Sequence, residues 1–152
     1  MFVPLHDGVP MRFIRVAYVT YALIAICILL RLVLMHWTSE ASEIAVLAGF
    51  GTIPAVLFGE AQLPPELFKA PPWLTLMTGI LLHASFAHLV GNMLFLWVFG
   101  DNVEDAMGHL RFLVFFMLCG IAGALLHALM NPDSEQPLVG ASGAISGVIA
   151  SY

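Results

Sequence analysis

Charged residues are scarce in this sequence. They make up 10% of its 152 residues, while 61% are hydrophobic. Soluble domains carry about 25% charged residues, so a mean hydropathy of +0.96 argues against a soluble domain. Long uncharged runs of this kind are typical of polytopic helical membrane proteins. We therefore predict an all-α protein with several membrane spans.

Basic residues and cysteines are scarcer still. Five Lys and Arg stand against ten Asp and Glu, which gives a formal net charge of −5. The absence of a basic patch argues against nucleic-acid binding. The two cysteines, Cys27 and Cys119, lie inside apolar runs, where small thiols usually serve packing. They say little about the redox compartment.

The first apolar run predicts a membrane-spanning helix. Val16–Leu30 is uncharged, but fifteen residues of helix reach only ~22 Å against a hydrocarbon core of ~30 Å. We expect the helix to continue to about Trp37, with Arg31 extending to the far interface. A cleaved signal peptide is the competing interpretation, but the following residues lack a small-residue cleavage pattern.

The charges beside this run orient the chain. Arg12 and Arg15 precede it, which predicts that residues 1–12 are cytoplasmic by the positive-inside rule. Residues 38–73 then lie outside, with four acidic residues against one lysine. Helix-breaking residues interrupt their apolar middle part, at Gly49, Gly51 and Pro54. We expect an outer loop partly sunk in the interface rather than a span.

A long region without charge predicts the second span. Residues 70–100 contain no Asp, Glu, Lys or Arg, more than the ~20 residues that one span needs. We predict a break at His83–Ser85, with Ser85 as the N-cap of the second spanning helix. This helix is expected to run from about Phe86 to Gly100 or slightly beyond. The polar residues 100–108 are predicted to form a cytoplasmic turn.

The remaining apolar runs predict a third span and part of a fourth. Phe112–Pro132 forms the third, with Gly120 and Gly123 expected to contact a neighbouring helix. Residues 131–137 form an outer loop. Ser142–Tyr152 opens a fourth helix, but eleven residues rise only ~16 Å. We therefore expect the chain to be the N-terminal part of a longer protein, incomplete at its C-terminus.

A serine between glycines stands at the start of this fourth helix, in Gly140-Ala141-Ser142-Gly143. Glycines let a backbone approach a substrate closely, and a helix N-terminus offers N–H groups to a developing oxyanion. These features favour a nucleophilic Ser142. Gly143 and Gly147 also form a small-xxx-small pair, a common packing face between membrane helices. This stretch alone leaves both interpretations open.

Polar residues on the second helix add to the candidate site. His88 and Asn92 are four residues apart and share one helix face, and with His83 they would approach the same leaflet as Ser142. Polar groups at membrane depth usually face a cavity or a partner. Here they could donate hydrogen bonds to an oxyanion, although no general base is evident.

Each of these residues has a simpler interpretation. His83 could be interfacial, Asn92 could form an interhelical hydrogen bond, and His88 could be either. His127, near the outer end of the third span, is expected to be interfacial. Two histidines and an asparagine could also bind a metal, but no carboxylate or cysteine stands nearby in the sequence. We expect no metal and no cofactor.

Two motifs together resemble the rhomboid family of intramembrane serine proteases. His83-Ala84-Ser85-Phe86-Ala87-His88-Leu89-Val90-Gly91-Asn92 is similar to the family's His-x4-His-x3-Asn on its second helix, and residues 140–143 to its Gly-x-Ser-Gly. The resemblance covers about residues 71–152. It implies a rhomboid-like bundle of six or more spans in the intact protein, of which residues 1–152 hold three and the start of a fourth.

The resemblance also implies a role for each motif residue. Ser142 would be the nucleophile, and the oxyanion hole would consist of its backbone N–H with the side chains of His88 and Asn92. The supporting residues would be His83, Gly140 and Gly143. The family's base is a histidine on the sixth helix, so we expect it to be absent from this chain and the chain alone to be inactive. Ser146 departs from relatives that carry an aromatic residue there.

The implied activity is hydrolysis of peptide bonds in transmembrane protein substrates by a Ser-His dyad. The expected partners are such substrates and membrane lipid, and the expected location is a bacterial cytoplasmic membrane with a cytoplasmic N-terminus. The alternative is a non-catalytic rhomboid-like module that binds membrane proteins. A histidine-lined cation pathway ranks below both.

Overall fold

The computed structural model describes residues 10–67 and 69–152, with the side chain of Trp37 left out. The predicted cytoplasmic segment 1–12 therefore lies mostly outside the described residues. Within these residues the chain is helical and contains no β-strand. The helices in chain order are α1 (Tyr18–Trp37), α2 (Glu40–Phe50), α3 (Pro54–Leu57), α4 (Pro72–Leu81), α5 (Phe86–Met107), α6 (His109–Met130) and α7 (Ser142–Ser151).

Two of these helices are long and apolar enough to cross a membrane by themselves. They are α1, over Tyr18–His36, and α6. Helices α4 and α5 pass the same test only as a pair, and the pair is bent by 78° between them. The described residues therefore hold two membrane-spanning candidates, or three if the bent pair is one span. This confirms the predicted all-α membrane bundle.

The core lies where α5, α6 and α7 meet. Leu96, Phe112 and Val148 are fully buried there and belong to one apolar cluster. Glycines bring α6 and α7 together, since a Cβ added at Gly123 would lie 3.0 Å from the Cα of Gly143. An added Cβ at Gly120 would likewise meet Ile80 and Ala144. Both glycines contact neighbouring helices, as predicted.

The junction between α4 and α5 agrees with the predicted break. Residues 82–85 separate the two helices, and the Ser85 side chain accepts a hydrogen bond from the backbone nitrogen of His88 at 3.2 Å. Ser85 therefore caps α5, which satisfies one of the free N–H groups of its first turn. The cap fixes where the helix carrying His88 and Asn92 begins.

The predicted turn at residues 100–108 is wrong for most of its length. Helix α5 continues to Met107, and Gly108 alone, with a φ of +78°, separates it from α6. The third span likewise begins at His109 rather than Phe112. Polar residues usually mark a helix end, but here two of them have distant partners that keep them helical and buried.

These two polar residues are Glu104 and Asp105. Glu104 accepts hydrogen bonds from the backbone nitrogens of Val19 at 3.0 Å and Thr20 at 2.7 Å, in the first turn of α1. Asp105 accepts three more from backbone nitrogens of the preceding segment, each at 2.7 Å, namely those of Arg12, Phe13 and Ile14. Glu104 therefore satisfies N–H groups that the start of α1 leaves free, and Asp105 holds the non-helical segment that precedes α1.

The described part of residues 38–73, which leaves out residue 68, contains short helices and no spanning helix. Helix α2 has 11 residues and α3 has 4, against the ~20 that a span needs. Arg31 of α1 forms an ion pair with Glu43 of α2, and its side chain is only 11% exposed. The Arg31 side chain was predicted to extend towards the interface. In the structure it pairs with the Glu43 carboxylate, and this ion pair links α2 to α1.

Candidate active site

The segment before Ser142 is held by backbone hydrogen bonds to distant parts of the chain. Leu138 and Thr52 exchange two of them, at 2.8 and 3.0 Å. The nitrogen of Gly140 donates a third to the carbonyl oxygen of Gly79, at 2.8 Å. These bonds fix the position from which α7 starts, and Ser142 is its first residue.

Gly140 brings the two candidate oxyanion donors against this segment. Its φ is +120°, and an added Cβ would lie 2.5 Å from Cε1 and 2.8 Å from Nε2 of His88, and 3.4 Å from Nδ2 of Asn92. The imidazole and the amide therefore lie against the backbone two residues before Ser142. Only glycine accommodates both this φ and this contact.

His83 contacts the side chains of both His88 and Asn92. Its Nε2 lies 3.0 Å from Nδ2 of Asn92, and its ring packs edge-on against that of His88 with centroids 5.3 Å apart. His83 is 1% exposed, so its ring is buried within the protein and does not face lipid or water. The three polar residues on the α5 side form one connected group.

Ser142 itself opens onto a cavity of about 170 Å³. Its N–H belongs to the first turn of α7, where backbone donors lack partners within the helix. The cavity wall also contains Thr52, Gly79 and His127. Sequence reasoning missed the first two, because nothing local relates them to Ser142.

His127 was predicted to be interfacial. Its side chain is exposed near the C-terminal end of α6, and it also lines the Ser142 cavity. Gly120, Gly123 and His127 repeat at helical spacing along one face, and all three line it. This periodicity was the signal that could have placed His127 beside the site.

Two further observations limit the chemistry. Over residues 10–67 and 69–152, no group of three His, Cys, Asp or Glu side chains gathers into a possible metal site. Ser146, one turn after Ser142, donates its hydroxyl to the Ser142 carbonyl oxygen at 2.8 Å. The candidate site therefore combines Ser142, at the start of α7, with the nitrogen-bearing side chains of His83, His88 and Asn92.

Comparison with known proteins agrees with this arrangement. The Rhomboid domain family matches residues 70–152. The chain is 33% identical to Rhomboid protease GluP of Bacillus subtilis over 130 residues, 86% of the chain and 23% of that protein. It is 35% identical to RHOMBOID-like protein 5 of Arabidopsis thaliana over 74 residues, 49% of the chain and 24% of that protein.

A third relative is named as an inactive protein. The chain is 31% identical to Inactive rhomboid protein 1 of Drosophila melanogaster over 94 residues, 62% of the chain and 6% of that protein. The chain thus spans about a quarter of the first two relatives and far less of the third. No solved structure matches the chain significantly.

Apolar helices and the family match together define an integral membrane protein built as a helical bundle. The chain belongs to the rhomboid family. Its relatives support an intramembrane protease or rhomboid-like function in general terms, since they include both a named protease and a protein named as inactive.

Proposed function

We propose that the protein containing this chain is an intramembrane serine endopeptidase. The observation that carries the proposal is the contact of His88 and Asn92 with the Gly140 backbone, two residues before Ser142. Two side chains that can donate hydrogen bonds thus lie against the segment that leads into Ser142, whose hydroxyl stands at a helix start. Fixed donors around a developing oxyanion are usually the largest single catalytic contribution in acyl transfer.

In the proposed mechanism the Ser142 hydroxyl attacks the carbonyl carbon of the substrate peptide. The oxyanion that forms accepts hydrogen bonds from His88, from Asn92 and from the Ser142 N–H. One Asn92 amide hydrogen is directed to His83, which leaves the second for the oxyanion. The proton of Ser142 passes to a histidine outside these 152 residues, as the family resemblance implies, and that histidine returns it to the leaving amine.

The proposed substrates are transmembrane segments of other proteins. A helical peptide must be released from its own hydrogen bonds before a serine can reach its carbonyl carbon, and backbone freed in this way is tolerated only in a polar cavity. The proposed location is a bacterial cytoplasmic membrane, with a cytoplasmic N-terminus supported by Arg12 and Arg15. Surrounding lipid and the substrate are the partners in this proposal, which involves no metal or cofactor.

One observation favours a second candidate, a non-catalytic module that binds membrane proteins. A relative named as inactive matches 62% of the chain. The complete Gly-x-Ser-Gly motif favours the protease instead. The cavity at Ser142 is open to a substrate, and its lining includes Gly140 but neither His88 nor Asn92. The two candidates differ in whether Ser142 reacts.

The test is cleavage of a single-span reporter protein by the full-length protein in vesicles. Ser142→Ala should abolish cleavage, whereas Ser146→Ala, the matched change one turn along α7, should retain most of it. A serine-reactive fluorophosphonate should label the wild type and Ser146→Ala but not Ser142→Ala. Unchanged cleavage by Ser142→Ala would exclude the proposed mechanism, and wild-type protein that neither cleaves nor is labelled would favour the binding module.

A further inference from the structure

A second and larger cavity lies away from Ser142. It encloses about 480 Å³ between α2, α3 and the start of α4, and it shares no lining residue with the Ser142 cavity. Its walls are mainly apolar or small, including Ala48, Ile53, Val56, Ala61 and Leu63. A cavity of this size and character suits a hydrocarbon chain or another apolar ligand.

One cation lines the cavity. Lys69 is the single basic residue of residues 38–73, it is exposed, and it lines this cavity. Its ammonium donates to the carbonyl oxygen of Leu63 at 3.1 Å, which holds the charge at the rim. Glu60 and Glu66 of the same loop are exposed, but neither lines the cavity.

The surroundings of the rim indicate a membrane interface. Trp73, four residues after Lys69 and in the first turn of α4, is 66% exposed. Exposed tryptophans concentrate at the level of lipid headgroups, and basic side chains there attract anionic lipids. An apolar cavity with a cation at its rim, in an integral membrane protein, is complementary to one anionic headgroup and one acyl chain.

We propose that this cavity is a binding site for an anionic phospholipid. One acyl chain occupies the space between α2, α3 and α4, and the phosphate lies beside the Lys69 ammonium. The remaining lipid stays in the surrounding leaflet, so only part of the molecule is enclosed.

The site is connected to the segment that carries Ser142. Gly51 and Ile53 line the cavity, and they flank Thr52, which exchanges backbone hydrogen bonds with Leu138. Packing is tight here, because a Cβ added at Gly51 would lie 2.8 Å from Cγ1 of Val139. Bound lipid therefore restrains the segment leading to Ser142, and its effect on cleavage rests on the proposed function.

The binding test is independent of catalysis. Full-length Ser142→Ala protein is examined by native mass spectrometry with dioleoyl phosphatidylglycerol, dioleoyl phosphatidylcholine or oleate. Phosphatidylglycerol should be retained about fivefold more tightly than phosphatidylcholine, as expected for one basic side chain near the headgroup. Equal retention of the two phospholipids would overturn the proposal, and so would oleate binding as tightly as phosphatidylglycerol.

Substitutions in the cavity test whether the phospholipid binds there. In the same background, Lys69→Gln should remove the preference for phosphatidylglycerol, and Lys69→Arg should keep it. Ala61→Phe, which fills the cavity, should weaken retention of both phospholipids. Arg111→Gln removes an exposed cation elsewhere and should change nothing. Lipid retention that is unaffected by both Lys69→Gln and Ala61→Phe would show that the lipid binds at another place.

The effect on the active site is measured separately, with active protein in vesicles. Wild-type cleavage should be about fivefold faster in phosphatidylglycerol vesicles than in phosphatidylcholine vesicles, the lower end of typical coupling between two sites. Lys69→Gln should lose this difference. Equal wild-type rates would refute the coupling. A wild type that cleaves in neither vesicle would refute the proposed function and leave the binding result standing.

Discussion

Thr20 of α1 donates two hydrogen bonds to the same carboxylate oxygen of Glu104 on α5, one from its backbone nitrogen and one from its hydroxyl, each 2.7 Å long. The two residues are 84 positions apart. The Glu104 side chain is fully buried and also contacts Nδ1 of His109 at 2.5 Å. One carboxylate therefore joins the starts of α1 and α6 to the end of α5.

Removing this carboxylate should destabilise the bundle. Glu104→Ala leaves the N–H groups of Val19 and Thr20 and the Thr20 hydroxyl without their acceptor, and each unsatisfied buried donor costs about 1–3 kcal/mol. Glu104→Gln retains one acceptor oxygen and should lose less. Denaturant titration of the purified protein in detergent measures the loss. Glu135→Ala, at an exposed glutamate, is the control, and an equal effect at both positions would contradict the role of Glu104.

Loss of either proposed oxyanion donor should slow cleavage without preventing folding. His88→Ala and Asn92→Ala should each lower kcat by about 10²–10³-fold, the usual cost of removing one such donor. The measurement is cleavage of a saturating reporter in vesicles, with fluorophosphonate labelling as a second readout. A loss confined to KM would instead mean that these side chains bind substrate and do not stabilise the transition state.

Gly140→Ala should damage the site more than backbone strain alone can explain. The new Cβ would lie 2.5 Å from the His88 ring, so either the ring or the segment before Ser142 must move. Gly108→Ala is the matched control, because Gly108 also has a positive φ, an added Cβ there meets nothing within 4 Å, and it lines neither the Ser142 cavity nor the proposed lipid cavity. Cleavage should fall by about 10²-fold for Gly140→Ala, comparable to a displacement of about 1 Å, and should be nearly normal for Gly108→Ala.

The orientation of the chain can be tested at the two ends of α6. In a background with Cys27 and Cys119 replaced by alanine, an impermeant maleimide added to intact cells should label Glu135→Cys. It should label Ala106→Cys only after the membrane is opened. The prediction follows from the arginines before α1 and from α6, whose 22 residues reach about 33 Å. The reverse pattern would contradict the cytoplasmic N-terminus.

Local sequence signals predicted several features correctly. Uncharged runs predicted the spanning helices, because a bilayer excludes charge. Ser85 predicted the start of α5, because a hydroxyl before a helical run can accept a hydrogen bond from its first turn. The motifs around His88 and Ser142 predicted the family, and the structure brings their residues close together.

The prediction of a turn at residues 100–108 was wrong for a physical reason. Polar residues end helices when water is their best partner, but Glu104 and Asp105 have backbone donors 84 to 93 positions away. Those partners keep the carboxylates buried within α5. A local pattern carries no information about such contacts, so the turn was placed too early.

The sequence by itself determined the apolar helices, the cap of α5 and the chemical groups of the candidate site, because each depends on neighbouring residues and on the solvent. Only the tertiary structure decided how Glu104 holds the start of α1, that Thr52 pairs with Leu138, and that Gly140 lies against His88. These contacts depend on backbone approach between segments far apart in the chain, which packing of the whole bundle sets.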